Sequence, residues 1–455
     1  MKNIILISFF NMYVVWLVAI ISCVYSLQPG ARLSLNTTIY EQIKEYLVPL
    51  IDKKLGNISL KNYSKKIPLL EVNLSQGYFK MKPIRLNQVK INFDNLSSKT
   101  SVNIYALEAE TGMDIDYDFS GLKDHIQCEA FLKYMYIDSF ITHEITHIGL
   151  PSVKVTAGFH MEPRRAQLIF IGGITAKLLE LLEPIIRVFL VEATDIAINA
   201  ELHKWIQDEI NLFFSTFQVD IPINNKVFVN YEVIAAPSYY NDFLDVPLSG
   251  YAYYEGKKFP PPFKPISLPI YDDSLNFDSQ FFINSYLINS AMKVSFDNNL
   301  LIYSFAYNLI YPFDMNLSCN ATEYPKTFID SDISANLSFF CNISALNRSN
   351  LQETLFNAYG ILDLDVKFNT QNTYIQFILN SIQIRNIFFI KPADFNVDWL
   401  MKSAQEVVDY VLNYINKSLL QYLLPFPAMN HVTFPLPKSK VDSKSIGVFT
   451  NINIQ

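Results

Sequence analysis

The sequence predicts an α+β protein built from two similar halves that a proline-rich hinge joins. Two observations lead to this prediction. A helix, a run of short strands and a long amphipathic helix follow one another, and the same order returns later in the chain. Residues 259–265, with the sequence FPPPFKP, separate the two runs, and a segment so rich in proline is expected to be extended and semi-rigid. With 455 residues, 50% of them hydrophobic, the chain is long enough to bury more than one core.

The first half opens with a predicted helix. Thr38 and Glu41 have the spacing of a capping box, and Gly56 follows the last apolar residue as an expected C-terminal cap. Its apolar residues recur every four positions, at Ile39, Ile43, Leu47, Ile51 and Leu55.

Short alternating strands are predicted from 69 to about 170, as where Val89, Ile91 and Phe93 alternate with polar residues. A second helix is predicted from 174 to about 214, with Pro184 as its kink or break.

The second half repeats this order. A helix is predicted over about 278–292, and alternation around 362–368 predicts a strand. A long amphipathic helix with an apolar stripe over 397–415 should stop before Pro425, and a closing strand is expected over 448–454.

Composition excludes some classes of function. Charged residues are only 17% of the chain, while 35 phenylalanines and 27 tyrosines raise the aromatic share to 14%. A net charge of -7 argues against bulk electrostatic binding of nucleic acid, so we expect no nucleic-acid partner. We find no nucleophile elbow, phosphate-binding glycine loop or Cys/His pair with catalytic spacing, and we expect no enzyme and no cofactor.

The first 26 residues have the pattern of a signal peptide. Lys2 precedes an apolar run that ends at Val24, and Ser26 provides a small residue before a cut at Leu27. A retained anchor helix is the alternative, because about 20 apolar residues can span a bilayer. We expect a secreted or vesicle-lumen glycoprotein. Acceptor sequons for N-linked glycans cluster in two regions, at Asn36, Asn57, Asn62, Asn73 and Asn95 and at Asn316, Asn320, Asn336, Asn342 and Asn347, with one more at Asn416.

Removal of Cys23 with the signal would leave three cysteines. Cys319 and Cys341 lie in two strand-like runs around a polar turn, which predicts a disulfide across a hairpin. Cys128 is then the leftover thiol, and we expect it to be a small buried residue rather than a reactive one.

Several short matches, in order along the chain, resemble one family: bactericidal permeability-increasing protein, lipopolysaccharide-binding protein, and the cholesteryl ester and phospholipid transfer proteins. The matching residues are Pro29-Gly30, Asn230-Tyr231, Ala236-Pro237, Leu244-Asp245-Val246, Gly250, the proline-rich hinge, Phe281-Phe282-Ile283-Asn284 and Phe434-Pro435-Leu436-Pro437. The resemblance spans residues 29–455.

The resemblance implies an elongated, boomerang-shaped molecule. Each half would be a twisted antiparallel β-barrel packed on a long amphipathic helix, with a central β-sheet between them and one apolar lipid pocket in each half. The implied boundaries are a signal peptide over 1–26, an N-terminal barrel domain over 27–217, central-sheet strands and hinge over 218–269, and a C-terminal barrel domain over 270–455.

The chain departs from this family in two ways. The N-terminal disulfide of the bactericidal and lipopolysaccharide-binding members has no counterpart here, since the matching region near Val155 and Asn199 lacks cysteine. Those members also have a cationic N-terminal tip, whereas residues 27–250 hold 21 Lys and Arg against 26 Asp and Glu. The one basic cluster is formed by Lys53, Lys54, Lys61, Lys65 and Lys66. Lipopolysaccharide recognition is therefore the alternative function, and general lipid binding is the leading one.

One motif points to another class. His143, Glu144 and His147 fit the zinc-protease pattern His-Glu-x-x-His, with His160 as a further potential ligand. That chemistry needs a helix, but the surrounding residues are typical of a strand and Gly149-Leu150-Pro151 follows at once. A zinc metalloprotease is a distant alternative, and we expect no metal site.

The predicted function is therefore a secreted lipid-binding or lipid-transfer protein that holds phospholipid-like ligands in apolar pockets. The expected partner is a phospholipid or another two-chain lipid, with a membrane or a bacterial outer-membrane surface as an additional candidate, and we expect a monomer. Residues predicted to contact lipid are Leu47 and Ile51 from the first helix, Leu178, Leu182, Ile185 and Phe189 from the second, and Phe282, Tyr286, Val407, Val411 and Ile415 from the C-terminal half. Ordinary core packing is the alternative role for each.

Overall fold

A computed structural model describes residues 28–454 apart from 95–98, 172–175, 241–242, 273, 276, 310–312, 347–351, 372–373, 391–422, 428–431, 436 and 443. For some residues of the helices and strands, among them 177–181, it describes the backbone alone. Within its sheets, all the strand pairs among the described residues are antiparallel, as are both pairings of β1 (Ala31–Asn36).

Between residues 31 and 214, the residues that the structure describes form two helices and nine strands. Strand β1 is followed by α1 (Ile39–Leu55), β2 (Ile58–Ser59), β3 (Tyr63–Ile67), β4 (Leu70–Met81), β5 (Val89–Asp94), β6 (Lys99–Phe119), β7 (Leu122–Ile145), β8 (Pro151–His160), β9 (Ala166–Ile171) and α2 (Ala176–Phe214). Short 3₁₀ turns lie at Leu86–Gln88 and Pro163–Arg165.

The rest of the described chain is mostly strand. Its elements are β10 (Asp220–Pro222), β11 (Val227–Asn230), β12 (Ser238–Tyr240), β13 (Phe243–Leu248), β14 (Tyr251–Tyr254), β15 (Ser279–Asn284), α3 (Ser285–Asp297), β16 (Ile302–Leu309), β17 (Phe313–Ala321), β18 (Lys326–Ile329), β19 (Ile333–Leu346), β20 (Gln352–Gln371), β21 (Tyr374–Ile390), β22 (Leu423–Pro425), β23 (Val432–Thr433), β24 (Lys438–Asp442), β25 (Ser445–Thr450) and β26 (Asn453–Ile454).

Two large curled sheets flank a central one. The N-terminal sheet has the order β2-β4-β6-β7-β8, with β3 beside β4, β5 beside β6 and β9 beside β7. The C-terminal sheet has the order β16-β17-β19-β20-β21-β22, with β18 beside β19. The predicted α+β class with a curled sheet in each half is confirmed. The long C-terminal helix predicted over 397–415 lies outside the described residues.

The central sheet joins distant parts of the chain. Its order is β12-β13-β1-β15-β25-β24, so β1 lies between a strand from the middle of the chain and the first strand after the hinge. Ala31 faces Leu248 on one side and Ile283 on the other. Because strands on both sides of 218–269 contribute, the central sheet extends beyond the segment predicted for it.

Residues that carry the family resemblance have structural roles around this sheet. The buried Tyr231 donates a hydrogen bond to the carbonyl of Pro425, 2.7 Å away, which ties the region before the hinge to the C-terminal half. Asn284 caps α3 by accepting from the backbone N–H of Tyr286 at 3.0 Å. Its side-chain amide donates to the carbonyl of Ile266, at the end of the hinge.

Two local predictions are wrong. Thr38 does not cap α1 with its side chain, because its hydroxyl donates to Asp278 at 2.7 Å. The predicted helix over 278–292 is strand β15 in its first part, and helix α3 starts only at Ser285. The central sheet requires this segment as a strand, and tertiary pairing overrides the helical spacing. The predicted long helix over 174–214 is confirmed as α2, which continues through Pro184.

Helix α2 is pinned to the edge strand β8 by side-chain amides. Asn199 accepts from the N–H of Phe159 at 2.6 Å, and Asn211 accepts from the N–H of Val153 at 2.8 Å. Gln207 accepts from the N–H of Val155 at 3.1 Å. These bonds satisfy backbone groups that an edge strand otherwise leaves unpaired.

None of the helices in the described part of the chain is long and apolar enough to cross a membrane.

The close approach of Gly250 to Gly30 and Ala31, at the start of β1, yields a prediction. Gly250 has a φ of +57°, and a Cβ at that position would lie 2.4 Å from the backbone nitrogen of Ala31. We expect Gly250→Ala to lower the free energy of unfolding by about 3 kcal/mol, because the left-handed backbone costs about 1–2 kcal/mol and the contact with β1 adds to it.

Gly256→Ala is the matched control, since Gly256 also has a positive φ of +74° but no neighbouring atom within 4 Å. When both variants are unfolded with urea, Gly256→Ala should lower the free energy of unfolding by only about 1–2 kcal/mol. Equal losses in the two variants would contradict the proposed role of the close approach.

Candidate functional site

An apolar groove lies between the inner face of the N-terminal sheet and the two helices that cover it. Helix α1 contributes Leu47, Leu50 and Ile51; strands β6 and β7 contribute Val102, Ile104, Ile137, Ser139 and Ile141; and helix α2 contributes Leu202, Trp205, Ile206, Glu209 and Ile210. We call this site the helix–sheet groove.

Local sequence patterns explain why these residues converge. Alternate residues of a strand share one face, and the register pairs Val102 with Ser139 and Ile104 with Ile137, so these side chains point to the same side. On α2 the lining residues recur at intervals of three and four, which places them on one face of the helix.

The groove is narrow in this structure. Its empty space is about 510 Å³ when the part open to solvent is included, but the cavity itself is only about 30 Å³. Pockets for small ligands are usually about 300–1,000 Å³. The shape is therefore that of a closed apolar seam, which a ligand would have to widen.

One charged pair lies at the side of the groove. Glu209 accepts a hydrogen bond from the indole N–H of Trp205 at 3.3 Å, and its carboxylate is 3.7 Å from the ammonium of Lys54 on α1. The Lys54 side chain is half exposed, so this pair contributes at most about 1 kcal/mol. It links the two helices without holding them tightly.

A polar cluster continues the groove toward the central sheet. His143, partly buried, follows Ile141 on the inner face of β7, and the buried Thr100 is paired with Ile141 on β6. Tyr239, from strand β12 of the central sheet, shares a hydrogen bond with the Thr100 hydroxyl. The His143 ring lies 5.7 Å from the Tyr239 ring and 6.4 Å from that of Phe214.

Burial sets the protonation of this cluster. Removal from water lowers the pKa of His143 to about 4, so its imidazole is neutral near pH 7. Burial also raises the pKa of Tyr239 above that of an exposed tyrosine. The inner end of the groove is therefore polar but uncharged.

Of the predicted lipid contacts, Leu47 and Ile51 line the groove. Leu182, Ile185 and Phe189 pack into the hydrophobic core of the same half, but on earlier turns of α2 than the lining residues. Phe189 and Leu202 are separated by about 20 Å along the helix. For Leu178 the backbone alone is described.

The predicted contacts in the C-terminal half are dispersed. Phe282 lies on strand β15 and packs with Leu268 and Phe449, while Tyr286 packs with Tyr251 and Tyr253. Neither belongs to the helix–sheet groove. Val407, Val411 and Ile415 lie outside the described residues.

Sequence reasoning missed the lining that comes from the strands and from the later turns of α2. Alternation marks Val102 and Ile104 as facing one side of a strand, and helical spacing marks Leu202, Trp205 and Ile206 as sharing a face. Neither signal reveals that these faces oppose each other, because that depends on strand register and helix packing.

The His-Glu-x-x-His segment is not helical. His143 lies near the end of strand β7, Glu144 is exposed on the same strand, and His147 is exposed in the turn that follows. The two histidines therefore do not stand one helical turn apart, as the zinc-protease arrangement requires.

The cysteines are located as follows. Cys319 and Cys341 are joined by a disulfide between the paired strands β17 and β19, with their Cα atoms 4.0 Å apart. Cys128 is free and buried on β7, and burial raises the pKa of its thiol to about 12, which leaves it protonated and unreactive.

The sequons differ in exposure. Asn57, Asn62, Asn73 and Asn320 are exposed, whereas Asn36, Asn336 and Asn342 are partly buried. The side-chain amide of Asn36 donates to the hydroxyl of Tyr271 at 2.9 Å, which opposes its modification in the folded chain. Asn95, Asn347 and Asn416 lie outside the described residues, and only the backbone of Asn316 is described. Their occupancy stays a prediction.

The fold is similar to that of a lipopolysaccharide binding protein of known crystal structure. The two share 14% sequence identity, with 94% of this chain and 99% of that chain covered and a TM-score of 0.55. At this identity the similarity establishes the fold and nothing finer.

Two other solved structures are less similar, and no conclusion about this protein rests on them. P47 of Clostridium botulinum E1 matches with 10% identity over 94% of this chain and all of that one, with a TM-score of 0.30. Takeout 1 of Epiphyas postvittana matches with 16% identity over 35% of this chain and 78% of its own, with a TM-score of 0.24. The sequence matches no known protein-family model and no curated protein.

The lowered pKa of His143 predicts a pH dependence of stability. Between pH 6.5 and about 4 the unfolded chain binds a proton at this residue that the folded chain does not bind. The free energy of unfolding should therefore fall as pH falls through this window, by about 2–3 kcal/mol from this group. Urea unfolding of wild type and His143→Gln should show that this loss is absent from the variant, so that the stability of wild type relative to the variant falls by about 2–3 kcal/mol from pH 6.5 to about 4.

Asp245 has the opposite effect on stability. Burial raises its pKa to about 6, partly offset by Arg32, so its protonation stabilises the folded chain as pH falls. Both proteins contain Asp245, so the difference between their profiles isolates His143. His147→Gln, at an exposed histidine four residues away, should keep the wild-type slope. Identical profiles for wild type and His143→Gln would contradict the assignment.

Proposed function

We propose that this protein is a secreted lipid-binding and lipid-transfer protein whose N-terminal half buries lipid chains in the helix–sheet groove. The observation that carries the proposal is the lining itself: all but two of the side chains between the sheet and the two helices are apolar. Burying each methylene group is worth about 0.8 kcal/mol, so a long chain can be held without any charged contact.

Helix α1 is the wall that moves in this mechanism. Helix α2 is fixed to β8 by the amide hydrogen bonds of Asn199, Gln207 and Asn211. By contrast, the polar contacts of α1 with the rest of this half, among the described residues, are the weak Lys54–Glu209 pair across the groove and a hydrogen bond from the N–H of Ile84 to Asp52 at 2.8 Å. Its other contacts are apolar, such as that of Tyr46 with Phe213 on α2. A lipid chain enters by separating α1 from α2, and the apolar faces of both helices then contact it.

The proposal extends to parts of the chain that the resemblance alone supports. A second pocket in the C-terminal half would involve the helix over 397–415, which lies outside the described residues. Secretion rests on the signal-like first 26 residues and the sequons. No catalytic step is part of the proposed function.

Recognition of lipopolysaccharide is not favoured for this chain. A lipopolysaccharide-binding protein shares the fold, but four of the five lysines of the basic cluster pair with carboxylates, Lys54 among them. Lys61 lies 3.8 Å from Glu201, Lys66 lies 2.8 Å from Glu71, and Lys65 pairs with Glu192. This pairing leaves little free positive charge for phosphate groups.

Filling the groove tests the proposal directly. Leu47→Trp places a large ring in the groove and should weaken binding of a neutral fluorescent probe and of a labelled phospholipid by about tenfold or more. Leu212→Trp is the matched control, because Leu212 lies on α2 but is 65% exposed. Circular dichroism should show that both variants are folded. Unchanged binding in folded Leu47→Trp would refute the groove as the lipid site.

Ionic strength separates the two candidate functions. Burial of chains is not screened by salt, so phospholipid transfer should change less than about twofold between low and high salt. Endotoxin binding should be weak and should decline further as salt rises, because it depends on contacts to phosphates. Tight, salt-resistant endotoxin binding without phospholipid transfer would support lipopolysaccharide recognition instead.

A further inference from the structure

The polar cluster at the inner end of the helix–sheet groove extends its walls without a break. Thr100 precedes Val102 on the inward face of β6, and His143 follows Ile141 on the inward face of β7. On α2, Phe214 follows the lining residue Ile210 by one turn. A lipid chain that lies along the groove and extends toward the central sheet would therefore contact this polar cluster next.

Tyr239 closes the end. Its ring lies 5.0 Å from that of Phe93 and 5.7 Å from that of His143, and its hydroxyl is bonded to Thr100. One of the two hydroxyls of Tyr239 and Thr100 thus donates to the other. The imidazole of His143, in contrast, has no hydrogen-bond partner among the residues that the structure describes.

We propose that His143 binds the uncharged oxygen group at the head of the buried chain, a hydroxyl or an ester, which in a phospholipid is the ester that joins the chain to glycerol. This inference rests on the proposed function and adds the ligand class and its orientation: chain along the groove, polar end toward the central sheet. A neutral imidazole offers one N–H donor and one acceptor nitrogen, which match a hydroxyl group or an ester carbonyl.

The surroundings argue against a charged ligand end here. Phe93, Phe214, Tyr239 and Thr100 carry no charge, and the pKa of His143, lowered by burial to about 4, keeps the imidazole neutral. A phosphate or carboxylate brought to this position would lose its hydration without gaining a counter-ion, which is costly. An alcohol or ester loses less on leaving water and regains a hydrogen bond.

The test is displacement of the neutral probe N-phenylnaphthylamine from the full mature chain by four compounds of equal chain length: dodecane, dodecanol, methyl dodecanoate and dodecyl phosphate. For wild type, dodecanol and methyl dodecanoate should bind about three- to tenfold more tightly than dodecane, as one net hydrogen bond implies. Dodecyl phosphate should bind more weakly than dodecanol.

Two variants assign the effect to the imidazole. His143→Phe keeps a ring but removes both nitrogens, and should abolish the preference for dodecanol over dodecane while still binding dodecane. His143→Gln, which keeps a donor and an acceptor, should restore part of the preference, and His147→Gln should leave it unchanged. The ¹⁵N resonances of His143 should shift when dodecanol is added and not when dodecane is added.

The outcomes distinguish this inference from the function on which it rests. Wild type that binds none of the four compounds overturns the proposed function. Wild type that binds dodecane, with an alcohol preference that His143→Phe leaves intact, overturns the role of His143 alone. Tighter binding of dodecyl phosphate than of dodecanol overturns the uncharged ligand class.

Discussion

The position of β1 in the centre of the central sheet is the constraint on which the rest of the structure depends. This strand pairs on one side with β13 and on the other with β15, so residues 31–36 fix the relation between the two halves of the chain. Helix α1 begins only three residues after β1 ends. The register of the central sheet therefore also determines where α1 lies over the N-terminal sheet, and thus where the groove forms.

The two helices that cover the groove are held very differently. Helix α2 is bonded to the edge strand β8 through amide side chains that replace missing backbone partners, and it behaves as part of the sheet. Helix α1 is anchored at its start by the central sheet and makes few polar contacts along its length. The helix–sheet groove between α1 and α2 could therefore open for a lipid chain without disturbing the sheet, because little more than the apolar contacts of α1 must be broken.

Electrostatics supports the same mechanism. The chain is acidic, four of the five lysines of its basic cluster pair with carboxylates, and the lining of the groove includes a single charged side chain, Glu209. Attraction to phosphate groups is therefore a poor source of affinity in this half. In the proposed function, burial of hydrocarbon is the remaining large term, and the proposed hydrogen bond to the neutral His143 would orient the bound chain.

The sequence by itself determined the two helices of the N-terminal half and the strand-rich region between them. The four-residue apolar spacing of α1 predicted its bounds almost to the residue, the long helix α2 was evident from its length, and Cys319 and Cys341 were paired from their strand-like contexts. Leu47 and Ile51 could be placed on the apolar face that lines the groove, because a helical stripe is a local property. Tertiary structure decided the rest: β15 is a strand because β1 and β25 need a partner there, Thr38 bonds Asp278 rather than its own helix, and the groove joins strands β6 and β7 to the last turns of α2. Local patterns state which face of an element is apolar, but which faces meet depends on register and packing between residues far apart in the chain.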